Sequence, residues 1–298
     1  MRKHWNTSTG HELVLGQRHR FVLRKLVSAF VWLLLPALTL LASRSTPWEA
    51  QFRPRPFNVS YDAMFIAATA GIALASVWVL YATRARLVAT DEPSVEPVLP
   101  IVWSWWNALD LFELMACVSL TAAYLGAGAA GSAVIWALAL AVLGVLSARV
   151  AQTERPASLP CPPPRSRLSH TASIFLVAVA LLFIAFPVLQ PWSGPPEPFV
   201  RWHPFSGPAE LVWRGFFLSF AAGMVLAAFD PLGRHRPFLV LLVVSGFLHA
   251  GEMAIDNLSS AGRGAMNGNP EHLYGDILGW FGIASVSLIF LIRDRRGG

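Results

Sequence analysis

Four ionisable side chains near the C-terminus have types and spacings that could hold a ligand. His249 and Glu252 follow the apolar run PFLVLLVVSGFL at 237–248 and lie three residues apart, which places them on one face of a helix. His272 and Asp276, four residues apart, would share a face in the same way. Imidazole and carboxylate groups are acceptable ligands of zinc, iron or manganese, so one interpretation of these four residues is a metal site.

Arg214 supplies a cation that could meet the same carboxylates. It stands near the start of the apolar segment 210–229, one turn after Glu210. An ionisable side chain inside a membrane span is costly unless it faces the protein interior and has a partner. The plain interpretation is an ion pair of Arg214 with Glu252, Glu210 or both. The alternatives are the metal site and a proton-carrying or substrate-binding pocket.

Asp110 and Glu113 repeat the three-residue spacing in the first half of the chain. Ile66 stands where a counterpart of Arg214 would lie, so we expect these two carboxylates to lack that particular cationic partner. Two carboxylates that are close together and desolvated should hold at least one proton near neutrality, and we expect Glu113 to be protonated at pH 7. The complete candidate pocket consists of His249, Glu252, His272, Asp276, Arg214, Asp110 and Glu113.

The segments that carry these residues are apolar enough to cross a membrane. The chain of 298 residues is 55% hydrophobic and 13% charged, whereas a soluble domain carries about 25% charged residues. A helix needs about 20 residues to span a bilayer, and none of the apolar segments alternates as the strands of a membrane barrel would. The predicted spans are 26–43, 63–83, 98–124, 131–149, 172–190, 210–229, 237–256 and 275–292. We therefore expect an all-α integral membrane protein with eight transmembrane helices.

The distribution of Lys and Arg predicts the orientation of the chain. With the N-terminus inside, most of the 23 basic residues fall on cytoplasmic segments, as the positive-inside rule requires. Both termini are then cytoplasmic, and the expected location is a bacterial inner membrane. The net charge of +6 favours contact with anionic lipid headgroups over binding of nucleic acid.

The two halves of the chain resemble each other in sequence. A shift of 144 residues aligns Trp136 with Trp280, a shift of 148 aligns the second predicted span with the sixth, and a shift of 139 aligns Glu113 with Glu252. Each half holds four spans, an even number, so both halves enter the membrane from the same side. This predicts two parallel four-helix repeats related by a pseudo-two-fold axis along the membrane normal.

A Pro-rich stretch separates the two predicted repeats. The sequence PASLPCPPP within it is too stiff and too poor in N–H donors to form a helix. We divide the chain into a cytoplasmic N-terminal segment, 1–25, a first four-helix repeat, 26–155, a Pro-rich cytoplasmic linker, 156–171, and a second four-helix repeat, 172–298.

The C-terminal half resembles a known family. The succession FPVLQPW, AAFDPLGRHRP, SGFLHAGEMA and HLYGDI is similar to that of a family of uncharacterised bacterial four-helix integral membrane proteins, and more distantly to the DoxX-like superfamily. The shared features are the Asp-Pro-Leu turn at Asp230, His249 within a span, and His272 with Asp276. The first half departs from this pattern, since it has no His in its third span and no Asp-Pro turn. The resemblance implies a four-helix fold, and some DoxX-like proteins are redox-linked membrane subunits.

No sequence motif in the chain indicates a particular reaction. A phosphate-binding loop, a His-Glu-x-x-His zinc motif and a Gly-x-Ser-x-Gly nucleophile motif are all absent. The sequence favours a non-enzymatic accessory subunit or small transporter with an outward-facing polar pocket in the second repeat. The alternative is a redox- or metal-linked membrane enzyme or subunit that uses His249, Glu252, His272 and Asp276. We expect no cofactor; the expected partners are the lipid bilayer and other membrane subunits, with no nucleic acid.

Overall fold

Every regular element in the part of the chain that the structure describes is a helix. The computed structural model describes residues 7–43, 69–81, 108–152, 166–189, 207–233, 235–258 and 277–296. The helices are α1 Thr7–Ser43, α2 Thr69–Tyr81, α3 Ala108–Gly126, α4 Ala130–Gln152, α5 Arg167–Leu189, α6 Gly207–Ala227, α7 Arg236–Leu258 and α8 Trp280–Arg296. The predicted all-α class is confirmed, and each helix overlaps one of the predicted spans.

Six of these helices are long and apolar enough to cross a membrane. Their apolar segments are His19–Thr39, Ala108–Gly126, Ala130–Arg149, Arg167–Ala185, Arg236–Ile255 and Ile277–Asp294. The apolar stretches of α2 and α6 are shorter, Thr69–Tyr81 and Arg214–Ala227. Six such helices indicate a multi-pass membrane protein.

The outer surface of the helices is apolar, which fits a lipid environment. Leu33 of α1 is 68% exposed, Leu181 of α5 is 61% exposed and Ile255 of α7 is 70% exposed. Arg24 and Glu113, in contrast, are buried. A protein in water rarely exposes a large contiguous apolar surface, whereas lipid chains are a good solvent for these side chains.

Helix α1 begins earlier than the sequence predicts. The predicted boundary between the N-terminal segment and the first span fell between residues 25 and 26, but α1 runs without interruption from Thr7 to Ser43. Arg24 and Lys25 therefore lie within the helix, inside its apolar segment His19–Thr39. The apolar segment can extend past these two basic residues because both are buried against carboxylates of α3.

The two halves of the chain meet through the second and third helices of each. α3 packs closely on α6, where an added Cβ at Gly215 would lie 2.1 Å from Ser119 Oγ. α2 approaches α7 in the same manner, since a Cβ at Gly71 would lie 3.4 Å from Ser245 Oγ. At both crossings a glycine faces a serine, which permits close approach of the two helices.

Aromatic side chains fill the space between these helices. Phe112 of α3 lies 4.5 Å from Phe220, 6.2 Å from Phe216 and 6.3 Å from Phe238, measured between ring centroids. Gly223 makes room for Phe238, because a Cβ at that glycine would lie 2.3 Å from the ring. Aromatic pairs at such separations add to the stabilisation from burial. The contact between the halves is thus a packed aromatic core.

Gly215→Ala should destabilise the protein. The new methyl group would overlap the Ser119 side chain, whose Oγ and Cβ would lie 2.1 and 2.4 Å away. Overpacking of this kind costs about 1–3 kcal/mol, which we expect to see as a lower Tm in detergent.

Two further variants test the cause of that loss. Adding Ser119→Gly to Gly215→Ala removes both overlapping atoms, so the double variant should regain most of the lost stability. Gly144→Ala in α4 is the control, because no heavy atom lies within 4 Å of its added Cβ and alanine favours helix. A Gly215→Ala protein as stable as the Gly144→Ala protein would contradict the close approach of α3 and α6.

Candidate functional site, a buried charged network

Two cations and two carboxylates lie together in the core of the first half. α1 contributes Arg24 and Lys25, and α3 contributes Asp110 and Glu113. Arg24 is 1% exposed, Asp110 is 7% exposed, and Lys25 and Glu113 are fully buried. We call these four residues the charged network. Their formal charges sum to zero, which is the condition under which buried charges are tolerated.

The positions of the four residues along their helices bring them to one end of the bundle. Arg24 and Lys25 stand near the start of the apolar segment of α1, and Asp110 and Glu113 lie in the first two turns of α3. The three-residue spacing of the two carboxylates places both on one face of α3. A carboxylate in the first turn of a helix is also stabilised by the helix dipole, which favours Asp110 at this place.

Each carboxylate meets a cation directly. Lys25 Nζ donates a hydrogen bond to Asp110 Oδ1, and Arg24 Nη2 lies 3.4 Å from the same oxygen. Arg24 Nη1 lies 2.8 Å from Glu113 Oε2. Asp110 therefore faces two cations, whereas Glu113 faces Arg24 alone among the ion pairs of the described residues.

Three serine hydroxyls extend the network to the other two helices of this half. Ser28 Oγ donates to Glu113 Oε1 at 2.7 Å, and Ser76 Oγ of α2 lies 3.2 Å from the same oxygen. Ser28 and Ser76 are 2.8 Å apart and can bond in either direction. Arg24 Nε donates to Ser147 Oγ of α4 at 2.8 Å. One connected set of polar contacts thus joins α1, α2, α3 and α4.

Arg24 and Glu113 form a buried ion pair, with Nη1 and Oε2 2.8 Å apart. Because Arg24 Nη2 also lies 3.4 Å from Asp110 Oδ1, one guanidinium contacts both carboxylates of α3.

A residue of the second half caps the helix that carries the carboxylates. His235, 2% exposed, lies just before α7, and its Nδ1 accepts a hydrogen bond from the backbone N–H of Ala108 at 3.2 Å. The backbone N–H of His235 in turn donates to the carbonyl of Asp230 at 3.0 Å. The first amides of a helix need acceptors from outside it, so His235 holds the start of α3 two residues before Asp110.

Three members of the pocket predicted from the sequence have described positions on α3 and α6. Asp110 and Glu113 are neighbours, and Arg214, 3% exposed, stands beside Gly215. Gly215 is level with Ser119, which lies about 9 Å along α3 from Glu113 at 1.5 Å per residue. The ion pairs described for Asp110 and Glu113 are with Arg24 and Lys25 instead.

Of the remaining residues of the predicted pocket, the structure describes the side chain of His249 only. Its ring packs edge-on against Trp280, with centroids 5.2 Å apart. The side chains of Glu210, Glu252, His272 and Asp276 lie outside the described residues, so the ion pair with Arg214 and the pocket around His249 stay predictions. Among the described residues, no three His, Cys, Asp or Glu side chains are grouped to hold a metal ion. The metal site, which needs three of the side chains outside that part of the chain, also stays a prediction.

Asp110 and Glu113 have cationic partners that were not identified from the sequence. Arg24 and Lys25 supply two cations, although their place before the first apolar run assigned both to the cytoplasmic flank as an orientation signal. The signal that could have identified them is Ser28, which lies one turn after both and continues their polar face into the apolar run. Nothing in the sequence marks Ser76, Ser147 or His235 in a comparable way.

The fold and the charged network define the class of this protein as a multi-pass helical membrane protein with ionisable groups in its core. No known protein family, curated protein or solved structure matches the chain. The resemblance of the second half to bacterial four-helix proteins stays a prediction from its motifs.

Arg24→Leu and Glu113→Leu should each destabilise the protein strongly. Each change leaves the charged network with one unbalanced buried charge, which costs about 3–5 kcal/mol. The double variant Arg24→Leu with Glu113→Leu should lose much less than the sum, measured as Tm in detergent.

A second ion pair provides the control for that series. Arg236 of α7 and Asp294 of α8 are 2.8 Å apart, with side chains 26% and 29% exposed. Because such a pair is partly solvated, Arg236→Leu should cost about 1 kcal/mol or less. Strictly additive losses for Arg24→Leu and Glu113→Leu would argue against their direct pairing.

Proposed function

We propose that the chain is a small, non-enzymatic transporter of the bacterial inner membrane whose functional centre is the charged network. Ionisable residues inside membrane helices are rare and commonly mark the pathways of ions, protons or substrates. The observation that carries the proposal is the burial of Arg24, Lys25, Asp110 and Glu113 among apolar helices, with contacts to all four helices of the first half.

Stability alone is a weak reason to keep four charges in a protein core. A buried ion pair seldom contributes more than well-packed apolar side chains of similar volume, since removing each charge from its polar surroundings costs several kcal/mol. A charged network also has more than one possible pairing. Arg24 already approaches both Asp110 and Glu113, so a small movement of α1 along α3 would exchange one carboxylate for the other. Such an exchange between two arrangements is the kind of element that alternating access requires.

The charge distribution supports one orientation of the proposed transporter. With both termini cytoplasmic, the charged network lies toward the cytoplasmic ends of the helices, because it occupies the starts of α1 and α3. The pocket predicted around His249 and Glu252 would then open on the opposite side of the membrane. The two groups of ionisable residues would serve the two faces of one pathway.

We further propose that the two halves are parallel repeats related by a pseudo-two-fold axis. The support is a reciprocal pair of contacts: Gly71 of α2 faces Ser245 of α7, and Gly215 of α6 faces Ser119 of α3. In a two-fold arrangement each contact between unlike helices occurs twice with the partners exchanged. The two glycines are 144 residues apart and the two serines 126 apart.

These contacts favour registers that differ from the sequence matches, 144 instead of 148 for α2 with α6 and 126 instead of 139 for α3 with α7. At an offset of 126 Phe112 corresponds to Phe238 as well as Ser119 to Ser245, and both phenylalanines are fully buried. The offset of 139 pairs Glu113 with Glu252 instead. It also superposes the buried Ala116 on Ile255, which is 70% exposed, so the burial pattern supports 126.

Transport can be tested by screening classes of solute. Proteoliposomes adsorbed on a solid-supported membrane would be exposed to concentration jumps of amino acids, organic acids, sugars and inorganic ions. We expect a transient current with at least one class of solute, and its loss in Glu113→Gln, which keeps the size of the side chain and removes the charge.

Ser219→Ala is the matched control for this experiment. Ser219 is also buried, but its hydroxyl bonds the carbonyl of Gly215 in its own helix and takes no part in the charged network. The control should keep the current. A folded protein that gives no current with any class, and that purifies with another membrane subunit, would favour the accessory-subunit interpretation instead.

The repeat proposal predicts that the chain can be divided at the Pro-rich linker. Residues 1–155 and 156–298, produced together as two polypeptides with a tag on one, should purify as a complex, because α2 and α3 dock on α6 and α7. Gly215→Ala in the second polypeptide should weaken the recovery of the first. Halves that fold but do not associate would contradict the proposed arrangement.

A further inference from the structure

We infer that Glu113 is a proton-binding site, which the described counterpart positions of the second half do not repeat. The inference deepens the proposed function and rests on it, since it names H⁺ as the ion to which transport is coupled. Three observations support it. The residues at the corresponding positions of the second half are mostly apolar, the charged network is closely packed, and its two carboxylates have different neighbours.

The second half places apolar side chains where the first half places the polar ones. At the offsets of 144 for α2 and α4 and 126 for α3, the counterparts of Ser76, Ser147 and Glu113 are Phe220, Leu291 and Leu239. All three counterparts are buried. The counterpart of Asp110 is Arg236, which is half-buried and pairs with Asp294 near the end of α8. α5 has no Asp, Glu, Lys or Arg after Arg167, its first residue.

At these described counterpart positions, those of Ser76, Ser147 and Glu113, the second half is therefore apolar. Since buried apolar residues stabilise a four-helix unit at least as well as buried ions, the fold does not require the charges of the first half. The charged network must then serve a ligand. Its side chains are in direct contact and almost wholly buried, so the ligand that can reach it without opening the bundle is the smallest one, a proton.

Glu113 is the carboxylate that binds this proton. Asp110 Oδ1 accepts a hydrogen bond from Lys25 and lies 3.4 Å from Arg24, so protonation of Asp110 would weaken its contacts with two cations. Glu113 faces one cation, Arg24, and two neutral hydroxyls. Hydroxyls of Ser28 and Ser76 can either donate or accept, so they can turn to accommodate a carboxylic acid as readily as a carboxylate.

The groups around Glu113 determine what protonation does. The charged or titratable neighbours on the described helices are Arg24 and Lys25 of α1 with Asp110 and Cys117 of α3, whereas α2 and α4 present serine hydroxyls. When Glu113 gains H⁺, its carboxylate becomes a neutral acid and the network changes from neutral to one excess positive charge. Arg24 then keeps Asp110 and Ser147 as its partners, and its link to Glu113 weakens.

Cys117 can report that change. It is fully buried and lies one turn after Glu113 on the same face of α3. Loosening of the Arg24 contact should open the helix pair beside this thiol and raise its reactivity. Because the chain has one other cysteine, Cys161, a Cys161→Ser background isolates the signal from Cys117.

The first experiment detects the proton itself. Infrared difference spectra of the protein in lipid bilayers would be recorded while the pH is lowered stepwise. We expect a carboxylic-acid C=O band that is lost in Glu113→Gln and kept in Asp110→Asn. The double variant Arg24→Gln with Glu113→Gln, which buries no unpaired charge at this contact, should also lack the band. A band that persists unchanged in both Glu113 variants would overturn the inference.

The second experiment follows Cys117 with a membrane-permeant maleimide in the Cys161→Ser background. Glu113→Gln mimics the protonated state and should label about tenfold faster than the parent near neutral pH, as local opening becomes more frequent. The ratio of the two rates cancels the reagent's own pH dependence. This ratio should fall toward one as the pH is lowered, and a constant ratio would overturn the inference.

The experiments distinguish a failure of the transport proposal from a failure of the proton-site proposal. A Glu113 band in a protein that carries no solute current would overturn the transport proposal and leave the proton site in place. Solute currents in a protein whose infrared spectrum shows no Glu113 band would overturn the proton site and leave the transport proposal in place.

Discussion

The contact between the cations of α1 and the carboxylates of α3 constrains the rest of the first half. Four charges can stay in an apolar core only while each remains within bonding distance of its partner. That condition fixes the depth of α1 relative to α3. It also requires α2 and α4 to present serines at the same level, which Ser76 and Ser147 do. A lateral shift of any one of these helices would leave a charge or a hydroxyl without its contact.

The contact between the halves depends on shape instead of charge. Gly71 and Gly215 allow close approach of helices, and the phenylalanines fill the space between the crossings. Dispersion forces of this kind are strong in lipid, where no hydrophobic driving force brings helices together. His235 adds one polar link across the same boundary, because it bonds the first amide of α3. The half that contains the charged network is thus held in position mainly by apolar packing against the other half.

The sequence could predict the helical class and the approximate helices, because runs of apolar residues of membrane-spanning length leave few alternatives. It also identified Asp110 and Glu113, since carboxylates in an apolar run demand an explanation. It could not identify their partners. A basic residue at the edge of an apolar run is the ordinary signal of orientation, and only the packing of α1 on its neighbours turns Arg24 and Lys25 inward. The register that we propose for α3 and α7 rests on a pattern of burial that only the structure reveals, whereas the acidic residues in the sequence suggest a different one.

The separation of the network's charges along the chain has a consequence for biogenesis. Lys25 and Asp110 are 85 residues apart, so during synthesis the cations of α1 emerge well before their carboxylates exist. At about 5–20 residues per second the delay is on the order of ten seconds. An unpaired arginine and lysine would resist entry into the hydrocarbon layer throughout that interval. α1 should therefore wait near the membrane interface or inside the insertion machinery, and complete its insertion only when α3 arrives.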